Sequence, residues 1–208
     1  MKKKDTKQLL KDAALDFISD HGYESTSIRD LAKAVGIKES SYYHHFKSKH
    51  EILDNIIDEF EEKAEVIFKE IIDAIPKSEE VKAVLDLSSF DWLSNIYITK
   101  YLFDPYFNKV LRVLMLEQVH DDEVLEKYNK WLFEKPLEIT KETFKAMEGK
   151  SSQSLANAAH CNLVLNSYLT KLTFVYALSG KLTDDKKIKF SKDIYKVIFD
   201  ITKGLFNE

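Results

Sequence analysis

Apolar residues along this chain recur at intervals of three and four. Leu10, Ala14, Phe17 and Ile18 fall on one side of a helix, and no stretch sustains the period of two that a half-buried strand needs. The pattern predicts an all-α protein. Its breaks coincide with the few glycines and prolines, chiefly Gly22, Gly36, Gly149, Gly180, Pro76 and Pro105. Between them the spacing predicts helices over Thr6–Asp20, Ser27–Ala34, Glu39–His45, Ser48–Ala74, Ser78 to about Thr99, Pro105–Val119, Asp121–Met147, Ser152–Ser179 and Asp184–Phe206.

Start signals support several of these. Ser48 and Glu51 have the capping-box spacing, Asp104 precedes Pro105 at a first helical turn, and Thr183 precedes two aspartates that favour a helix N-terminus. Pro136 falls inside a helical pattern and is expected to kink or break it. No repeat, low-complexity tract or Gly/Ser linker separates the parts. The long helix Ser48–Ala74 is therefore the expected bridge between an N-terminal head, residues 1–50, and a larger helical body, residues 51–208.

Composition narrows the class. With 208 residues and 44% apolar content the chain can bury a real core. The single cysteine, Cys161, excludes an internal disulfide and a cysteine-based zinc cluster, and suits a reducing compartment. No apolar run reaches the length of a membrane span, and the opening "MKKKDTKQLL" lacks an apolar signal core, so a cytoplasmic location is expected.

Net charge is −4, but it is unevenly spread. Met1–His50 holds ten Lys and Arg against seven Asp and Glu, while the remainder holds 21 against 28. A locally basic head on an acidic body predicts that the head is the part that meets a polyanion.

Within the head, "TSIRDLAKAVGIKESSYYHHF" reads as two short helices split by Val35, Gly36 and Ile37, a helix-turn-helix pattern. Ala32 is small where a second helix must cross closely. Gly36 can take the left-handed backbone that ends the first helix, and Ile28, Leu31, Ile37 and Tyr42 or Phe46 can close a small core. The second helix then offers Lys38, Ser40, Ser41, Tyr43 and His44 to solvent, a mixture of donors and flat rings suited to groove edges and phosphate oxygens. Lys47 lies near, and Lys49 at, the start of the long helix, where backbone N–H groups also favour a phosphate.

These residues resemble the tetracycline-repressor (TetR) family of bacterial transcriptional regulators. The resemblance runs from Ala13 to Leu53 and is carried, in order, by "AALDF", "GY", "SIRDLA", the turn glycine, "YHHF" and "KSKHEIL". It implies that Arg29 touches a base edge or the backbone and that Ser27 binds phosphate. Ser40, Ser41, Tyr43 and His44 would enter the major groove or hold its edge with Lys38 beside them, and Lys49 would grip a phosphate. Two residues depart from the family pattern: Tyr42, where leucine or isoleucine is usual, and the acidic Glu39 at the groove-facing end. Glu39 can accept from a cytosine amino group or deter wrong sequences.

The body has no comparably specific motif. "SLANAAHCNLVLNSYLTKLTFVYALS" is apolar nearly all round, and the last helix aligns Ile194, Ile198, Ile201 and Leu205 beside Phe190 and Val197. A second copy would cover both, giving a homodimer through the last two helices, as the family also uses, and a palindromic operator with half-sites roughly 34 Å apart. For a small-molecule effector the candidates are polar groups and aromatics on apolar stripes: Trp92, Tyr101, Phe107, Glu117, Asn162 and Asn166. The bland alternatives are core packing for the aromatics and an exposed or ion-paired side chain for Glu117.

Other chemistry finds little support. His44, His45 and His50 are close in sequence but point apart on a helix and have no completing carboxylate, so no metal is expected, and no cofactor. His120 and Asp121 resemble the His-Asp pair of all-α phosphohydrolases, but no histidine lies between Glu51 and Val119 to serve as the first ligand. No nucleophile motif or phosphate-cradling glycine loop occurs. The expected function is a non-enzymatic, ligand-responsive DNA-binding regulator, a repressor; the rival is an architectural DNA-binding protein without an effector. The Lys2–Lys4 run reads as a solvated terminus or as an arm along the duplex.

Overall fold

The structure is a computed structural model that describes residues 5–75, 94–146 and 166–206. Lys2–Lys4, Trp92, Asn162, Cys161, most of the expected helix Ser78–Thr99 and the first half of Ser152–Ser179 lie outside the described residues. Every regular element among the described residues is helical. The chain packs into two compact units, Met1–Ala64 with Pro105–Tyr128, and Glu65–Asp104 with Asn129–Glu208. The helix α4, Lys49–Asp73, runs from the first into the second without interruption.

In the first unit α1 spans Thr6–His21, capped by Asp5, whose carboxylate accepts from Lys7 N at 3.3 Å. It ends at Gly22, whose φ of +83° only glycine adopts freely. The helix α2, Ile28–Ala34, begins at Ser27, whose hydroxyl accepts from Asp30 N at 3.1 Å, and the chain reverses at Gly36 with φ +75°. The helix α3, Glu39–Tyr42, is shorter than the expected Glu39–His45. His44 N and His45 N donate to Ser41 O and Tyr42 O, three residues back, so the chain tightens out of the α-helical path. Ser48 starts α4 by accepting from Glu51 N at 3.0 Å, and the Glu51 carboxylate turns back to Lys47 N.

Leu10, Ala14, Ile18, Leu31, Ala32, Tyr42, Phe46, Ile52, Ile56 and Phe60 form the buried centre of this unit. The helices α5, Pro105–Glu117, and α6, Asp122–Asn129, complete it. Phe107 packs edge-on against Phe60, and Tyr106 donates to Ile56 O at 3.3 Å. Lys11 on α1 pairs with Glu59 on α4, Lys109 with Asp16, and Lys127 with Glu61 at 3.1 Å. Asp121 caps α6 by accepting from Glu123 N and Val124 N at 2.9 and 3.2 Å, so the carboxylate of the His-Asp pair is used structurally.

The second unit departs from α-helical geometry in three places, Ser94–Leu102, Lys130–Glu134 and Thr173–Leu178, where the turns widen to the π form. Pro136 explains one of them. It has no N–H to give to Leu132 O, and instead of breaking the helix the chain loosens just before it, Lys135 N donating to Lys130 O, five residues back. The helix α7, Lys135–Ala146, then continues. Phe68, Tyr97, Tyr101 and Trp131 form a buried aromatic cluster in which the Tyr101 hydroxyl donates to Trp131 O at 3.1 Å. The last helix, α8, spans Asp184–Phe206, with Phe190 buried against Phe103 at a ring separation of 5.3 Å.

Candidate nucleic-acid interface

Positions 27–49 present the face that the sequence singled out. Tyr42 is wholly buried and packs at a tilt against Phe46, the ring centroids 5.8 Å apart, while Tyr43 and His44 are turned outward. Burial pushes the Tyr42 phenol well above its ordinary pKa, and its hydroxyl stays protonated as a donor to Ser48 O at 2.8 Å. Tyr43 is 52% exposed and meets Tyr42 edge-on. Leu31 and Ala32 are buried as expected, while Ile28 and Ile37 are half-buried at the margin of the same small core.

Arg29, Lys38, Ser40 and His44 are exposed and Ser41 is half-buried. None of these five side chains has a hydrogen bond or ion pair with another described residue, so their donors remain available to an external partner. Glu39, also exposed, adds an acceptor at the start of α3. Ser27 is partly committed, because its hydroxyl also donates to Asp30 Oδ2 at 2.5 Å. Lys47 is exposed. Lys49 is placed differently. Its ammonium donates to Tyr23 O at 2.7 Å and lies 3.9 Å from the centroid of the Tyr23 ring.

The effector candidates separate. Phe107 and Glu117 belong to the first unit, Tyr101 and Asn166 to the second. Glu117 is buried on the stripe of Val110, Val113 and Leu114, and its carboxylate accepts from Tyr23 N at 2.8 Å. Asn166 helps line a cavity of about 370 Å³ in the second unit with Tyr97, Leu132, Pro136, Leu169 and Thr173. Among the described residues that line the cavity none is charged. Neither link to Tyr23 was visible in the sequence, since Glu117 and Lys49 lie 94 and 26 residues from it.

Among the described residues no group of His, Cys, Asp and Glu could hold a metal, and no helix is long and apolar enough to cross a membrane.

The segment that carries this face also matches known proteins. Residues 10–56 match the profile of bacterial regulatory proteins of the tetR family. The HTH-type transcriptional repressor KstR2 of Mycolicibacterium smegmatis is 33% identical over 84 residues, 40% of each chain, so the match spans well under half of that relative. The negative transcriptional regulator IcaR of the biofilm operon icaADBC in Staphylococcus epidermidis is 24% identical over 195 residues, 90% of this chain and 94% of IcaR. Among solved structures, the ketosteroid transcriptional regulator KstR2 of Mycobacterium tuberculosis superposes with a TM-score of 0.61 at 15% identity over 96% of both chains. A TetR-family regulator of Mesorhizobium loti gives 0.60 at 15% identity over 95% of both. The two superpositions show the fold, and the residues matched by the family profile contain α2, the turn at Gly36 and α3. Residues 10–56 thus carry the tetR-family pattern, within a chain whose fold is similar to that of the TetR-family regulator of Mesorhizobium loti.

Proposed function

We propose that the protein is a sequence-specific DNA-binding regulator of transcription, a repressor released from a palindromic operator by a small molecule. The observation that carries this reading is the outward face of α2 and α3, where Arg29, Lys38, Ser40, Ser41, Tyr43 and His44 gather unused donors and an exposed ring on a helix-turn-helix. Ser27 joins them at the start of α2. The protein acts as a homodimer through its last helices. In support, Tyr168 and Val175, one heptad apart, are 44% and 46% exposed on a segment whose Leu169, Leu172 and Ala177 are buried.

The effector occupies the cavity beside Asn166, whose described lining of apolar walls and a few amide and hydroxyl groups suits a neutral, largely apolar molecule. Release requires that the effector favour one arrangement of the dimer over the other. A tenfold preference for the non-binding state corresponds to about 1.4 kcal/mol of operator affinity. The continuous helix α4 is the element that would carry the change.

Selection of bound sequences from a random duplex pool by the purified protein, at two salt concentrations, tests this reading. A palindrome is the expected result. Salt-sensitive binding with no common sequence would instead make the protein an architectural binder, and absence of binding would overturn the proposal.

A further inference from the structure

The turn between α1 and α2 is held from two sides. Tyr23 N donates to the Glu117 carboxylate at 2.8 Å, while Tyr23 O accepts from the Lys49 ammonium at 2.7 Å and from Thr26 N at 3.1 Å. Thr26, itself buried, returns its hydroxyl to Gly22 O at 3.0 Å. A Cβ on Gly22 would lie 3.5 Å from Glu117 Oε1, so the carboxylate rests against the bare glycine backbone. The next residue, Ser27, is the cap from which α2 starts. The direction of α2, and of α3 packed on it, is inherited from this turn.

Glu117 is an uneconomical way to attach α5. It is 7% exposed on an otherwise apolar stripe, where a leucine would pack without the cost of desolvating a charge. The helix is already fastened to α1 by Lys109 to Asp16 and by Arg112 to Asp20, the latter at 3.5 Å. What the carboxylate adds is location, because a hydrogen bond to a single backbone amide is directional where apolar packing is not.

We propose that Glu117 is a positioning residue for DNA binding, which fixes the turn at Gly22–Thr26 and so aims the helix-turn-helix. This rests on the DNA-binding reading above. It assigns Glu117 a task other than contacting an effector, and makes the last residue of α5 part of the DNA-binding machinery although it touches no DNA.

The test uses the full-length protein and compares Glu117→Met, Glu117→Gln and Arg112→Ala by amide hydrogen exchange at Tyr23, denaturant midpoint and affinity for the selected operator. Methionine fills the space of glutamate without a good acceptor, and glutamine keeps a carbonyl oxygen for Tyr23 N. Glu117→Met is expected to unfold at a midpoint no lower than that of Arg112→Ala, yet to exchange the Tyr23 amide faster and bind operator about tenfold more weakly, the size of one lost hydrogen bond to a charged acceptor. Glu117→Gln is expected to restore both readouts, and Arg112→Ala to bind operator as the wild type does. Wild-type affinity in Glu117→Met, or affinity that merely follows the unfolding midpoint across the three variants, would overturn the proposal. A glutamine variant as weak as the methionine one would also overturn it. A wild-type protein that selects no sequence refutes the DNA-binding reading, and with it the aiming role, while exchange at Tyr23 still decides whether Glu117 holds the turn.

Discussion

The Tyr42 hydroxyl donates to the carbonyl oxygen of Ser48 at 2.8 Å across the centre of the helix-turn-helix. The bond ties the end of α3 to the residue that starts α4, at a position where the family pattern expects an aliphatic side chain. A phenol can be wholly buried here because it finds this acceptor. Tyr42→Phe is expected to keep the ring packing and lose about 1–2 kcal/mol of stability, mostly through the unpaired Ser48 carbonyl. Urea unfolding of the two proteins measures it, and an unchanged midpoint would show that water replaces the hydroxyl at no cost.

The exposed face of α2 and α3 should separate binding from folding. Arg29→Ala and Tyr43→Ala are each expected to leave the unfolding midpoint within experimental reach of the wild type, since both side chains are exposed. Each should weaken operator binding by about 1–3 kcal/mol, roughly ten- to a hundredfold. Fluorescence anisotropy with the selected palindrome reads this directly. Normal affinity in both variants would remove these residues from the interface.

Lys49 permits a sharper distinction, because the resemblance gives it a phosphate whereas its ammonium is held by Tyr23. Lys49→Met keeps the aliphatic stem and removes the charge. The expected outcome is a stability loss of about 1–2 kcal/mol, as befits a charged donor to a part-buried carbonyl, with the slope of log affinity against log salt unchanged. A slope reduced by about one would instead identify Lys49 as a phosphate contact.

Glu59 should contribute to acid sensitivity, as should Glu65, which, despite partial burial, Lys135 and Lys130 hold below its ordinary pKa. Burial raises the pKa of Glu59, but the hydrogen bonds and charges of Lys11 and Lys63 outweigh that effect and leave it below the ordinary 4.5. A carboxylate with a depressed folded pKa stabilises the fold fully above its unfolded value, and the contribution is lost as pH falls through the folded value. Stability is therefore expected to decline below the ordinary carboxylate range, and Glu59→Gln to flatten that decline. Unfolding midpoints measured from neutral pH into the acid range test the sign; an equally steep decline in the variant would assign the sensitivity to other carboxylates.

These relationships differ in how far the sequence announces them. The helix-turn-helix was legible because its instructions are local: Ser27 caps within three residues, Gly36 reverses the chain on its own, and Leu31, Ala32, Tyr42 and Phe46 mark the core by helical spacing. The contact of Glu117 with Tyr23 has no local signature. A glutamate on an apolar stripe signals that a partner exists without saying which, and only the folded chain brings residues 94 positions apart together. The widened turn before Pro136 was half legible, since proline announces a disturbed hydrogen bond but not whether the helix breaks or loosens. α3 ended sooner than its polar-apolar pattern suggested because tighter turn bonds at His44 and His45 replace the α-helical ones.

Trp131, enclosed by Phe68 and Tyr101 in the second unit, has a spectroscopic consequence. The first unit contains tyrosines but no tryptophan. Indole emission excited at the red edge of the absorption band therefore arises wholly outside the residues that face DNA, whereas Tyr43 emits from the surface that would stack against a base. The indole signal of the unlabelled protein is thus confined to the unit with the cavity, and a titration of effector can be followed through it without a label.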